Sequence, residues 1–126
     1  MTIDERRALV EEYLGRIVRI EIDRPIGYEH KKEKYTLYYD INYGYIPGVL
    51  GGDGEELDVY LLGVDTAVTE YTGKIIAVAH RRNDVEDKLI MIPENARFSR
   101  AEIEKGIEFQ EKYYDTKIIL LGEELF

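Results

Sequence analysis

The stretch that decides the fold is residues 42–63, NYGYIPGVLGGDGEELDVYLLG, which runs from an aromatic segment through a glycine turn into an apolar strand. Three acidic side chains, Asp53, Glu55 and Asp58, stand where that strand begins. Neighbouring carboxylates repel one another and raise each other's pKa unless a cation lies among them. In an irregular turn that runs into a strand, side chains with this spacing can converge on one point. The stretch therefore predicts a strand whose entrance binds a cation.

Short alternating or apolar segments along the rest of the chain predict further strands, each bounded by Gly, Pro or an acidic loop. The predicted strands are residues 16–22, 57–63, 74–81, 88–93 and 116–121. Residues 4–14 and 99–114 have helical spacing, and Ser99 with Glu102 forms a capping box at the start of the second helix. The sequence therefore predicts a mainly β (α+β) fold in a single domain, 1–126. Its core is a small closed OB-like β-barrel, with an N-terminal helix and a longer C-terminal helix packed against it.

The composition is that of one folded globular domain. Of the 126 residues, 44% are hydrophobic and 34% are charged, and no apolar run approaches the ~20 residues needed to cross a bilayer. The net charge of −9 disfavours nucleic acid and anionic membranes as partners. The chain has no cysteine, which excludes disulfides, thiolate zinc sites and cysteine nucleophiles. We therefore expect a cytoplasmic protein whose partners include neither nucleic acid nor membrane.

A second acidic segment, NDVEDK at residues 83–88, falls in the turn between two predicted strands. If that turn lies beside Asp53, several carboxylates meet, and their hard oxygens suit Mg²⁺ or Mn²⁺ rather than a soft metal. The spacing is not that of an EF-hand loop, because Leu57 occupies its fifth position and Asp58 its glycine position. The alternative interpretation is two solvated acidic loops that bind nothing.

The pattern of residues 42–63 resembles the signature region of the soluble, magnesium-dependent inorganic pyrophosphatases. The family pattern is Asn-Tyr-Gly-Tyr-Ile, followed by an Asp-rich element that begins ten residues after the first Tyr, and Tyr43 and Asp53 keep that spacing. Tyr39 also stands four residues before Tyr43, as in the family. Weaker similarity continues in two later segments, EDKLIMIP (86–93) and FQEKYYD (109–115).

The resemblance implies a hydrolase that converts inorganic pyrophosphate to two phosphates with a metal-activated water. Mg²⁺ is the implied cofactor, with Mn²⁺ as an alternative, and a homo-oligomer acting on a small phosphate-containing substrate is also implied. The implied metal ligands, which we expect to face one site, are Asp53, Asp58, Asp84 and Asp87. The implied catalytic residues are Glu55 and Asp58. The implied substrate-binding residues are Tyr43, Lys88 and Tyr113, and Arg24 is a further substrate-binding candidate by its charge.

The chain also departs from the family pattern. Glu55 stands where the family has aspartate, Glu56 where it has proline, and Tyr114 where it has lysine, so one phosphate-binding cation is lost. We interpret residues 23–34 as a loop. The chain between strand 16–22 and Tyr39 is too short for the family's charged hairpin, and Arg24 and Lys31 are candidates for substitute charge. Two alternatives stay open: a hydrolase of a nucleoside or other organic diphosphate, and a catalytically inactive barrel that binds metal or a protein partner.

Overall fold

The computed structural model describes residues 1–126 and contains two helices and eight strands. The helices are α1 (Ile3–Tyr13) and α2 (Arg100–Glu111). The strands are β1 (Ile17–Arg24), β2 (Glu29–Lys31), β3 (Thr36–Tyr38), β4 (Asn42–Leu50), β5 (Glu56–Leu61), β6 (Glu70–Arg81), β7 (Asp87–Ile92) and β8 (Thr116–Leu120). The predicted helices and strands are all present, with ends that differ by a few residues. The segment 23–34 is not only a loop, because it contains β2, which pairs with β3 in a short hairpin.

Five strands close into a barrel because each of them pairs with two others. β1 pairs with β4 and β4 with β5, both antiparallel, and β5 runs parallel to β7. β7 pairs with β6, and the first part of β6 pairs with β1, which completes the ring. The later part of β6 also carries β8. The predicted mainly β, closed OB-like barrel with two helices is therefore confirmed.

Side chains that alternate along β5 and β7 divide the core into two clusters. Tyr60 and Ile90 belong to the cluster that includes Ile107 of α2. Their neighbours in sequence, such as Leu89, belong to the cluster that includes Val10 of α1. Burial of side chains of this size contributes about 1.5–3 kcal/mol each. Because successive residues of a strand face opposite sides, this alternation also decides which charged residues at the strand ends share a side.

Helix α2 lies close to the barrel and brings polar residues to one end of it. The helix begins with the predicted capping box, in which Ser99 and Glu102 exchange side-chain to backbone hydrogen bonds. A Cβ at Gly106 would lie 2.9 Å from a side-chain carbon of Leu62, so glycine permits the close approach. The last turn of α2 then places Glu111 beside strand β6. Neither α1 nor α2 has the length and apolar character of a membrane-spanning helix.

Candidate active site

A polar pocket of about 580 Å³ opens where the barrel strands meet the end of α2. Opposite charges line it together. Its carboxylates are Asp23, Asp53, Glu55, Glu56, Asp58 and Glu86, and its cations are Arg24, Lys32, Arg81 and Lys88. The remaining lining residues are Tyr43, Tyr45, Gln110 and Tyr114. The chemistry of each carboxylate therefore depends on which protein cation, if any, it contacts.

The two acidic loops predicted from the sequence lie against each other in the wall of this pocket. The contact is made by Gly52, where a Cβ would lie 1.8 Å from the carbonyl oxygen of Val85. That distance is far below the ~3.5 Å of ordinary packing contacts, so no residue with a side chain fits without moving the backbone. Strands β5 and β7 run parallel, so both begin at this end of the barrel. The expected proximity of segments 51–55 and 83–88 is found.

The carboxylates of the first loop have few cationic partners within the protein. Asp53 accepts the backbone N–H of Glu55 at 3.0 Å, and the Glu55 carboxylate accepts no hydrogen bond from the protein. Partial burial would raise the pKa of Asp53, but hydrogen bonds from Glu86 and the Glu55 N–H lower it. Asp58 contacts a cation through one oxygen only, Oδ2, which lies 2.5 Å from Lys88 Nζ. We refer to Asp53, Glu55 and Asp58 as the outer carboxylates.

Lys88 joins the outer carboxylates to the second loop. Its Nζ donates to Asp58 at 2.5 Å and to Glu86 Oε1 at 2.8 Å, and its side chain is 3% exposed. Burial alone would lower the pKa of Lys88, but the acidic groups around it raise it, so the amine stays charged. Burial and a hydrogen bond with Asp53 raise the pKa of Glu86 from 4.5 to about 7. In the metal-free protein near neutral pH, Glu86 is therefore partly protonated.

Arg81 is the most enclosed cation of the pocket. Its Nε and Nη2 donate to the two carboxylate oxygens of Glu111 at 3.0 and 2.6 Å, and its Nη1 lies 3.2 Å from both Asp84 Oδ2 and Glu86 Oε1. Burial alone would lower the pKa of Arg81, but the ion pair with Glu111 raises it. The same pair lowers the pKa of Glu111, against the effect of burial. We refer to Asp84, Glu86 and Glu111 as the inner carboxylates.

Tyrosine rings form the wall opposite the acidic loops and orient Arg24. Its Nη1 donates to the hydroxyl of Tyr39 at 2.6 Å, and that hydroxyl donates to Gln110 Oε1 at 2.6 Å. The centre of the Tyr43 ring lies 5.6 Å from the guanidinium carbon of Arg24 and 5.7 Å from Lys88 Nζ. Burial raises the pKa of Tyr43, so its hydroxyl keeps its proton. The Nε and Nη2 of Arg24 make no hydrogen bond within the protein, so they are free to bind an anion.

Asp87 does not face this pocket. It accepts hydrogen bonds from Arg6 Nε and Nη2 at 3.2 and 2.8 Å and lies 2.7 Å from His80 Nδ1, with 3% of its side chain exposed. Residues 86 and 88 face the pocket, so strand alternation turns residue 87 to the other side. The structure therefore corrects the expected convergence of Asp87 with Asp53 and Asp58.

Asp84 and Tyr113 also lie outside the lining of the pocket. The Oδ2 of Asp84 lies 3.2 Å from Arg81 Nη1, and the side chain is partly exposed. Tyr113 is 46% exposed and stacks on Tyr35, with ring centroids 4.6 Å apart. The next residue, Tyr114, enters the pocket instead, and its ring centroid lies 3.6 Å from the guanidinium carbon of Arg81. Of the site residues predicted from the sequence, the pocket therefore brings together Arg24, Tyr43, Asp53, Glu55, Asp58 and Lys88.

Sequence reasoning missed the pocket positions of Glu86 and Arg81. Glu86 stands two residues before Lys88, so the period of a strand could have placed both side chains on one face. Arg81 carried no comparable signal, because it ends an apolar strand and its partner Glu111 is thirty positions away in the sequence. Only the packing of α2 against β6 brings that pair together.

The outer carboxylates fit a hard divalent cation by their chemistry, since all their donors are carboxylate oxygens. No group of three or more acidic or histidine side chains is already arranged around one point at metal-binding distances. Mg²⁺ commonly binds proteins through one or two carboxylates and completes its coordination with waters and substrate oxygens. Asp53 and Asp58, with Glu55 beside them, meet that requirement.

Comparison with known proteins connects this fold and pocket to one family. The family model described as inorganic pyrophosphatase matches residues 9–119. No curated protein sequence matches the chain significantly. The family match spans the barrel, the pocket and α2.

Several solved structures share the fold at low sequence identity. The inorganic pyrophosphatase of Ehrlichia chaffeensis is 15% identical with a TM-score of 0.65, over 86% of this chain and 88% of that one. The enzyme of Helicobacter pylori is 19% identical with a TM-score of 0.59, over 86% and 85% of the two chains. That of Neisseria gonorrhoeae is 22% identical with a TM-score of 0.56, over 79% and 74%. At these identities the likeness supports the fold.

Proposed function

The chain belongs to the inorganic pyrophosphatase family, and we propose that Asp53, Glu55 and Asp58 carry the hydrolysis of inorganic pyrophosphate that this membership assigns to it. The family match extends over residues 9–119, which include all three carboxylates. The observation that supports the assignment of residues is their shared pocket: carboxylates without an arginine partner lie beside the protein's own Lys88 and Arg24.

Members of this family are generally metal-dependent, and we propose Mg²⁺ as the ion that the outer carboxylates hold, with Mn²⁺ as an alternative. Asp53 and Asp58 would supply the oxygens, because each has an oxygen that no protein cation contacts. When bound, a divalent ion would lower the pKa of a water molecule and neutralise charge on the phosphate groups.

The remaining roles belong to the protein's own side chains. Glu55 has an unpartnered carboxylate in the pocket, which suits it to position the attacking water and accept its proton. Lys88 and the free nitrogens of Arg24 suit the phosphate oxygens, since both cations line the pocket and lie 5.7 and 5.6 Å from the centre of the Tyr43 ring. Phosphoryl transfer depends mainly on such positioning and on positive charge. We also propose a cytoplasmic location and a homo-oligomeric state for this protein.

A phosphate-release assay with pyrophosphate and Mg²⁺ tests the proposed function. We expect turnover that EDTA abolishes, and a loss of at least about 100-fold in Asp58→Asn, because a carboxylate that would hold the ion is removed. The matched control is Asp65→Asn, the same chemical change at an exposed position outside the pocket. Equal activity of Asp58→Asn and Asp65→Asn would contradict the assigned roles.

The same assay separates the two alternatives. The open pocket and the short β2–β3 hairpin, whose turn residue Lys32 lines the pocket edge, leave room for an organic group. Phosphate release from a nucleoside diphosphate but not from pyrophosphate would assign that substrate class. No turnover with either, together with a rise in melting temperature on adding Mg²⁺, would indicate an inactive metal-binding barrel.

A further inference from the structure

One buried guanidinium contacts all three inner carboxylates beside the pocket. Arg81 is 1% exposed, and its nitrogens contact oxygens of all three inner carboxylates, Asp84, Glu86 and Glu111, at 2.6 to 3.2 Å. These carboxylates come from two separate elements, the turn before β7 and the end of α2. Asp84 and Glu86 stand within five residues of Arg81 in the sequence, whereas the tertiary fold brings Glu111 to the same cation from thirty residues away.

The inner carboxylates are also tied in place by other donors. Glu111 accepts the hydroxyl of Tyr60 at 2.5 Å and that of Thr116 at 2.7 Å. Glu86 accepts Lys88 Nζ at 2.8 Å. The ring of Tyr114 covers the guanidinium from the pocket side, with its centroid 3.6 Å from the guanidinium carbon. An ion from solvent can reach Asp84 and Glu86, whose side chains are 26% and 16% exposed, but to bridge them to Glu111 it must displace the guanidinium.

The outer carboxylates have no such occupant. No arginine contacts Asp53, Glu55 or Asp58, and the only side-chain cation among them is Lys88, which touches a single oxygen of Asp58. The pocket thus has two acidic halves, one balanced by a fixed protein cation and one open to ions from solution.

We infer that Arg81 is a built-in cation that occupies the inner half of the pocket in place of a divalent ion, so that metal ions bind only at the outer carboxylates. This inference rests on the proposed metal-dependent function of the same pocket. Arg81 then acts as a positioning residue: it holds Glu86, which in turn holds Lys88 toward the substrate. The carboxylates that it neutralises would, without it, form a site of the hard-oxygen type that Mg²⁺ and Mn²⁺ prefer.

The test is a Mn²⁺ titration of the metal-depleted full chain, read by electron paramagnetic resonance of free Mn²⁺ without any substrate. We expect Asp84→Asn to bind as many Mn²⁺ ions per chain as the wild type, because Asp84 is engaged by Arg81. We expect Arg81→Ala to bind about one additional Mn²⁺, since three carboxylates lose their cation and space opens among them. Combining Arg81→Ala with Asp84→Asn should remove or weaken the added site. The control is Arg82→Ala, an exposed neighbour paired with Asp115, which should leave the stoichiometry unchanged.

Melting temperature gives a second readout that does not depend on turnover. Mn²⁺ should raise the melting temperature of Arg81→Ala by about 5 °C more than that of the wild type, because the ion replaces the lost charge. An Arg81→Ala chain that folds only when Mn²⁺ is present would support the inference in the same way. If Arg81→Ala does not fold under any condition, the test is the Asp84→Asn variant, in which Arg81 is intact. Binding of fewer Mn²⁺ ions per chain than the wild type would overturn the inference, and binding of the same number would uphold it.

The experiments distinguish a failure of the inference about Arg81 from a failure of the proposed function. An added Mn²⁺ site in a folded Arg81→Ala chain, in a protein that hydrolyses no diphosphate, would uphold the first and overturn the second. Turnover of pyrophosphate with no gain of a Mn²⁺ site in folded Arg81→Ala would uphold the proposed function and overturn the role of Arg81.

Discussion

The two acidic loops of the pocket have the same residue types and opposite surroundings. In the first loop, Asp53 and Glu55 face the pocket without a cationic side chain in contact. In the second, Asp84 and Glu86 contact Arg81, and Asp87 contacts Arg6. An acidic segment is therefore open to a metal ion only where the fold has not already supplied a protein cation.

Burial explains why Asp87 in the second loop and Glu111 at the end of α2 need their cations. Asp87 and Glu111 are 3% and 5% exposed in their side chains, and a buried carboxylate without a partner loses several kcal/mol of solvation. Exposed carboxylates such as Glu55 keep their water and need no partner in the absence of metal. The comparison predicts that variants of the second loop change stability and variants of the first change metal binding.

The largest effect is expected from Glu111→Gln, which leaves Arg81 charged and without its principal partner. Breaking a buried ion pair from one side costs about 3–5 kcal/mol of unfolding free energy. Urea denaturation of the metal-free protein measures it. The matched control is Glu108→Gln on the exposed face of the same helix, which should stay within about 0.5 kcal/mol of the wild type. Equal stability of the two variants would contradict the picture of an inner half that depends on its ion pair.

A pair of aspartate variants compares the two loops directly. Asp87→Asn removes a buried charge from the Arg6 and His80 contacts and should lower the unfolding free energy by about 2–3 kcal/mol, with or without Mg²⁺. Asp53→Asn should change metal-free stability by less than about 1 kcal/mol, yet remove most of the rise in melting temperature that Mg²⁺ produces. The reverse assignment of these effects would show that Asp87, not Asp53, holds the ion.

The contact between the loops is tested by Gly52→Ala. The added Cβ would lie 1.8 Å from the Val85 carbonyl oxygen, so the backbone must move, at a cost of about 1–3 kcal/mol. The neighbouring Gly51→Ala is the control, since its Cβ would meet only atoms at 3.6 Å or more. We expect Gly52→Ala to lower turnover as well, because it separates Asp53 from Lys88. Unchanged urea midpoints for both variants would indicate that the loops need not touch.

The smallest effect is a pH dependence of the metal-free protein. Glu86 has a pKa raised to about 7 in the folded protein, against 4.5 ordinarily. The stability that it contributes is therefore fully present below pH 4.5 and is lost as pH rises through about 7. After allowance for solvent screening, the loss should be about 1–2 kcal/mol. Urea titrations in EDTA at several pH values give the unfolding free energy as a function of pH. The loss is the difference between the slopes of the wild type and of Glu86→Gln. Parallel slopes for the two proteins would contradict the raised pKa of Glu86.

Much of this site was predictable from local sequence. The spacing of Tyr43 and Asp53 identified the family, and the glycine turn with its carboxylates identified the open half of the pocket. Both depend on residues close together in the chain, where pattern and geometry are tightly linked. Resemblance was less reliable at the second loop. There a one-residue difference in spacing exchanged the faces of Glu86 and Asp87, since side chains alternate along a strand.

By itself, the sequence determined the barrel with its two helices, the family and the kind of chemistry, because strand periodicity, helix caps and a short motif are local properties. Only the tertiary structure decided which carboxylates are open to an ion. That choice depends on cations brought from distant elements: Arg6 from α1 to Asp87, and Arg81 from β6 to Glu111 on α2. Electrostatic balance in a buried site is set by contacts across space, and no pattern along the chain encodes which charges will meet there.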